Sequence, residues 1–301
     1  MPSHYCRTAR GLMALLLAAP YIGVASAGGS VLTERYDNSR TGANLNETML
    51  SPSSVSPSTF GKLWSYTVSG SVQAQPLYVA NLYMPGYGVR NVLYVVTMND
   101  MVYAFDADSS SNTPLWSDNL PAVTIASPVP IAQIIGVESA STENIVGNVG
   151  IESTPVIDMS THTMYLVTRT MELGLGCENC VAEQKLHALD ITTGQEKFGG
   201  PVVISGSVPG TGDGASTDIF NELNANQRSG LALANGQIYI SWASHEDKVA
   251  FLPAWHGWIM SYNASTLQQT GIFCTTPNSS REASGCRDAH LPLMRPGTST
   301  T

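Results

Sequence analysis

Met164-Tyr165-Leu166-Val167-Thr168, then Leu186-His187-Ala188-Leu189-Asp190-Ile191, then Thr192-Thr193-Gly194 and Glu196-Lys197-Phe198, carry the fold of this chain. Two runs of aliphatic, aromatic and β-branched residues are separated from a third by a Thr-Gly turn, which is the signature of strands joined by tight connections. Upstream lies Thr154-Pro155-Val156-Ile157-Asp158, a further short run opened by proline. Together they read as four short strands in succession.

The same order recurs on both sides. Gln75-Pro76-Leu77-Tyr78-Val79 precedes Val92-Leu93-Tyr94-Val95-Val96-Thr97, Val102-Tyr103-Ala104-Phe105-Asp106-Ala107 and Pro114-Leu115-Trp116. Downstream, Ser229-Gly230-Leu231-Ala232-Leu233 precedes Gln237-Ile238-Tyr239-Ile240-Ser241-Trp242, Trp258-Ile259-Met260-Ser261-Tyr262-Asn263 and Gly271-Ile272-Phe273. Each copy centres its second strand on an aliphatic-Tyr-aliphatic triplet and ends its third on Asp or Asn. Asn99-Asp100, Thr193-Gly194 and Asn235-Gly236 supply turn chemistry between strands. Helical periodicity is weak. Four antiparallel strands per unit, repeated, predict an all-β chain built as a partial β-propeller, about three blades plus an edge strand.

Ala188-Leu189-Asp190-Ile191-Thr192-Thr193-Gly194-Gln195-Glu196-Lys197-Phe198 resembles the Ala-x-Asp-x-x-Thr-Gly-x-x-x-Trp blade motif of pyrroloquinoline quinone-type propeller repeats, with Phe198 in place of Trp. Ala104-Phe105-Asp106-Ala107-Asp108 with Pro114-Leu115-Trp116 is similar to a looser copy. The stretch Tyr36-Asp37-Asn38-Ser39-Arg40-Thr41-Gly42-Ala43-Asn44-Leu45-Asn46-Glu47-Thr48 is similar to the entry segment of secreted bacterial proteins with that repeat. The resemblance covers about residues 31–280. It implies kinship with quinoprotein alcohol dehydrogenase-like proteins, which include both enzymes and assembly scaffolds. The dehydrogenases set an adjacent Cys-Cys disulfide against the quinone and hold calcium with Glu, Asn and Asp. This chain has no adjacent cysteine pair, and those ligands do not map position by position.

Composition bounds the rest. Hydrophobic residues make up 43% and charged residues 12% of the 301, which suits a packed domain and argues against disorder. A net charge of -9 with only 14 Lys and Arg argues against a nucleic-acid partner. Arg7 and Arg10, an apolar run from Leu12 to Ala19 and the small residues ending at Ala25-Ser26-Ala27 predict a signal peptide over 1–27. The apolar run is too short for a comfortable membrane span and meets Pro20. The mature chain, 28–281, is therefore expected to be secreted or periplasmic, with no membrane span.

In an exported protein Cys177 and Cys180 could be half a zinc site, a redox motif or a small disulfide loop. A local disulfide is favoured, because no second Cys or His pair stands at zinc-ligand spacing and glycines rather than a helix surround the pair. No metal is expected. Cofactor-binding candidates are few. Glu152 and Arg228 precede the first strands of the second and third copies, where propeller ligands bind, and Arg228 could grip a carboxylate or phosphate with Glu152 as counter-ion or calcium ligand. His245 and His256 flank a long loop and could meet across it, with Glu246 and Asp247 near. His187 reads as a packed strand histidine, and Gly210-Thr211-Gly212-Asp213-Gly214 as a flexible turn. No catalytic residue is assigned.

After Arg281 the strand texture stops. The codons that can encode 282–301 permit, in a shifted frame, a proline-containing opening followed by Gly-Asn-Leu-Tyr, like the start of another copy. The expectation is an aberrant tail replacing the next blade. The function expected is an exported, non-enzymatic binding or scaffold module for an extracellular ligand or protein. The alternative is a fragment of a pyrroloquinoline quinone-dependent alcohol or sugar oxidoreductase that uses the quinone and calcium.

Overall fold

The computed structural model describes residues 29–123, 126–134, 145–172, 180–245 and 256–279. The signal-peptide segment, Cys177, Glu246, Asp247 and the 282–301 tail lie outside them. The described chain is all-β in several antiparallel sheets, and it contains no helix long and apolar enough to cross a membrane.

The first sheet is a meander of β1 (Leu77–Met84), β2 (Gly88–Val96), β3 (Met101–Asp106) and β4 (Trp116–Asn119), in that order. Its strands match the first copy read from sequence. In the second sheet β8 (Thr163–Glu172) pairs along its whole length with β9 (Val181–Asp190). The other edge of β8 is shared by β7 (Val156–Asp158) and β5 (Ser127–Pro130), and β5 also pairs with β6 (Asn148–Val149). β10 (Val202–Val203) lies on the outer side of β9.

Here the structure departs from the expected fourth strand. Glu196 makes only a single bridge to Leu189. Phe198 and Gly199 then take left-handed backbone (φ 55° and 77°), which breaks the ladder until Val202.

The hairpin β11 (Ser207–Pro209) and β12 (Thr217–Ile219) connects to the last sheet. There β15 (Gln237–Ser244) pairs with both β13 (Ala225–Asn226) and β14 (Ala232–Ala234), and continues to β16 (Trp258–Asn263) and β17 (Gln269–Cys274). Asn235 and Gly236 both have positive φ (50° and 72°), the primed turn that the right-handed twist of a hairpin demands.

Face-to-face packing of these sheets makes the core. Met164 and Leu166 of β8 pack with Leu77, Val79, Val92 and Tyr94 of the first sheet. Tyr165 and Val167, on the opposite face, pack with Ile238, Ile240, Trp242 and Met260 of the last. Both faces of the middle sheet are thus covered, and β8 is buried at every position from Thr163 to Met171. β15 has one covered face and alternates buried with half-buried residues.

The tyrosine of each covered triplet locks its sheet to the next. Tyr94 Oη donates to Ile191 O at 2.8 Å, and Tyr165 Oη donates to Ala264 O at 2.7 Å. Trp116 Nε1 donates to the same Ile191 carbonyl at 2.9 Å. A Cβ added to Gly194 (φ 78°) would stand 2.8 Å from the Trp116 ring, so the turn glycine gives the indole its seat. Ile191 and Gly194 are therefore part of the surface on which the preceding sheet docks.

Residues 31–40 run across β1, β7 and β14. Val31 bridges Tyr78, Leu32 O accepts from Ile157 N at 2.8 Å, and Asn38 Nδ2 donates to Leu233 O at 2.9 Å. Arg40, 8% exposed, donates through Nη2 to Leu231 O at 2.9 Å. This strap occupies strand edges that would otherwise invite pairing by another chain.

Candidate functional site

Five charged or ionisable side chains converge where the strands of the three sheets end on one side. Arg169 lies near the end of β8, Asp100 in the β2–β3 turn, Glu152 before β7, Arg228 between β13 and β14, and His245 just after β15. Sequence reasoning singled out Glu152 with Arg228 as a pair, and His245 with His256 instead. It missed Arg169, the residue that joins them.

Arg169 is 3% exposed, and its guanidinium donates to Ala225 O and to His245 Nε2. Donation fixes His245 as a neutral acceptor at Nε2. Burial and the adjacent Arg169 charge both hold the His245 imidazole well below its usual range. Burial also pulls Arg169 down to about 10, against the opposing pull of Glu152 and Asp100, so it stays charged near neutrality.

Both carboxyls are pushed the other way. Burial raises Glu152, while Arg169 and Arg228 oppose the rise. Its Oε1 stands 3.8 Å from Arg228 Nε, and its Oε2 is buried with no hydrogen-bond partner. The predicted Glu152–Arg228 pairing is therefore present. Asp100 is fully buried with neither carboxylate oxygen hydrogen-bonded, and burial drives it well above its usual range. Gly150 permits this, since a Cβ there would meet Asp100 Oδ1 at 2.6 Å.

Neutral groups hold the walls. Gln184 of β9 donates to Glu222 O and Ala225 O, both at 2.8 Å, and accepts from Trp242 Nε1 at 2.7 Å. Ser153 donates to Gln227 Oε1, and Gln227 Nε2 donates to Ser229 O at 2.8 Å. One member faces outward: the Arg228 side chain is 55% exposed. Arg228 is thus the one charged member of the cluster that opens to solvent, with the two carboxyls and Arg169 buried behind it.

The site does not fit calcium. Two guanidiniums flank Glu152, and like charges repel a hard cation that needs six or more oxygens.

His256 does not join this cluster. Its Nδ1 lies 3.0 Å from Thr276 Oγ1 and its Nε2 3.3 Å from Asp213 Oδ1, so the two loop histidines are held by different partners. His187 is 3% exposed, with Nε2 2.9 Å from Thr168 Oγ1 and Nδ1 2.5 Å from Glu196 Oε1, a histidine committed within its own sheet. Cys180 is disulfide-bonded. No family model matches the chain, and no curated protein matches it.

Proposed function

We propose that the chain is part of a pyrroloquinoline quinone-like β-propeller that works outside the cytoplasm as a non-enzymatic binding module, taking an anionic ligand at Arg228. The blade reading is supported by the two tyrosine locks, Tyr94 to Ile191 and Tyr165 to Ala264, which repeat one docking geometry from sheet to sheet. The disulfide at Cys180 supports an oxidising compartment, in keeping with the basic-apolar-small pattern of 1–27.

The observation that carries the binding reading is the exposed Arg228 fork at the edge of a buried cluster of charged side chains. Its Nε faces Glu152, which leaves the planar end of the guanidinium to address a carboxylate or phosphate in two parallel hydrogen bonds.

Calorimetric titration with citrate and with inorganic phosphate tests this. One site per chain is expected, weakened about tenfold or more by Arg228→Gln, the loss of one charge-assisted contact of about 1.5–3 kcal/mol. Binding unchanged by that substitution would sink the reading. So would a stoichiometric bound-quinone absorbance with dye reduction after addition of pyrroloquinoline quinone and calcium, which would establish the oxidoreductase instead.

A further inference from the structure

A second buried cluster lies at the far end of the β11–β12 hairpin, and it does not depend on the reading above. Asp218 of β12, His256 just before β16 and Cys274 at the end of β17 are all buried, at 0%, 4% and 4% exposure. One donor atom from each lies within 4.8 Å of the other two.

The chemistry of the three is that of ligands with a gap between them. Asp218 Oδ1 accepts from Asp213 N at 2.9 Å, but Oδ2 is buried with no hydrogen-bond partner. An uncompensated carboxylate oxygen at zero exposure costs free energy unless something positive meets it. Cys274 carries a free thiol. His256 Nδ1 is engaged by Thr276 Oγ1, which orients the ring and leaves Nε2 facing the acids, the arrangement a supporting hydrogen bond gives a metal-binding histidine. Asp213 Oδ1 stands 3.3 Å from that same Nε2. Among the described residues no Lys or Arg is paired with Asp213 or Asp218, and His256 is the one base in reach.

The glycine loop is built around this cluster. A Cβ on Gly210 would collide with Asp218 Oδ2 and Pro277 O, and one on Gly212 would lie 2.5 Å from His256 Cε1. Thr211 N and Gly212 N both donate to Pro277 O, at 2.7 and 3.1 Å, tying the loop to the segment after β17. Gly210 to Gly214, read from sequence as a flexible turn, is a clasp whose missing side chains leave room for the ligands.

We propose that Asp218, His256 and Cys274 bind a divalent zinc-class cation, with Asp213 placed to supply the fourth ligand. A set of one carboxylate, one imidazole and one thiolate selects a borderline-soft ion over calcium or magnesium. Tetrahedral zinc holds sulfur at about 2.3 Å and nitrogen or oxygen at about 2.0–2.1 Å, so ligand atoms end up roughly 3.3–3.6 Å apart. Closing from within 4.8 Å to that spacing is a movement of at most about 1.5 Å between any two ligand atoms. The ion would staple the β11–β12 hairpin to β16 and β17, so binding and local folding would be coupled.

The full chain is stripped with a chelator and titrated with Co2+, then Zn2+, followed by absorbance. The expected result is one metal per chain, a tetrahedral cobalt spectrum with a thiolate-to-cobalt charge-transfer band, and its bleaching by one equivalent of Zn2+. Cys274→Ser should abolish the charge-transfer band. Asp218→Asn should weaken zinc at least tenfold and His256→Ala about 100-fold or more, at or above the loss seen on removing supporting hydrogen bonds alone. If a variant fails to fold, the wild-type cobalt spectrum decides. No stoichiometric metal, a charge-transfer band retained in Cys274→Ser, or Cys274 found in a disulfide by peptide mass analysis would each overturn the proposal.

Discussion

Replacing Arg169 by Met keeps the length of the side chain and removes the charge on which the first cluster is balanced. The loss is concrete. Ala225 O and His245 Nε2 lose a donor, and Glu152 and Asp100 lose their buried cation. Breaking a buried ion pair by removing one partner costs about 3–5 kcal/mol, most of it the penalty of the charge left behind. At about 2–4 °C per kcal/mol for a chain of this size, Tm should fall by roughly 6–20 °C near pH 7.

The sign of the pH dependence follows from the directions of the shifts. Glu152 and Asp100 already titrate above their unfolded values, 4.5 and 3.8, and losing the cation raises them further. A carboxyl whose folded pKa is raised favours the folded state fully below its unfolded pKa and loses that contribution as pH rises through the folded value. His245 acts in concert: burial still holds its pKa down, but without Arg169 the second, smaller depressing cause is gone, so acid destabilises the variant less than the parent. The deficit of Arg169→Met should therefore be largest at pH 7 and shrink toward pH 5. Urea unfolding at the two pH values, with Glu152→Gln as the second arm of a double-mutant cycle, measures it. Glu152→Gln in the Arg169→Met background should recover stability. A variant as stable as the parent, or one with the same deficit at both pH values, would refute the reasoning.

Other outcomes follow from the same structure. Gly194→Ala should cost roughly 1–3 kcal/mol for its left-handed backbone, with more for displacing Trp116, and thermal unfolding with tryptophan fluorescence reads both. Tyr165→Phe leaves Ala264 O without its donor inside the core and should cost about 1–3 kcal/mol by urea unfolding. Leu166→Ala empties a site covered on both sides and should cost about 2–5 kcal/mol, well above Leu233→Ala, whose side chain is only partly buried. In the parent, His245 should weaken the fold as pH falls below about 6.5, because the unfolded state then takes up a proton that the buried ring refuses, and His245→Gln should flatten that limb.

The strands were legible because their signals are local. Alternation, β-branching and a tyrosine triplet mark β2, β8 and β15, and Asn235-Gly236 marks a primed turn, all from neighbours in sequence. The short pieces β5, β6, β11, β12 and β13 carry too few residues for any period to show, and the outer strand of the second sheet was displaced by a left-handed break at Phe198 and Gly199 that its residue types do not announce. Arg169 sits inside Thr168-Arg169-Thr170, where alternation alone reads a solvated arginine. Only the last sheet packing over the middle one buries it.

By itself the sequence determined the all-β class, the long strands and the turns between them, since these depend on contacts within a few residues. The tertiary structure alone decided which acids and bases meet. Asp100 and Arg169, or Asp218 and Cys274, are brought together by sheets stacking face to face and by a glycine loop folding back. Their chemistry depends on burial and on distances that no spacing along the chain encodes.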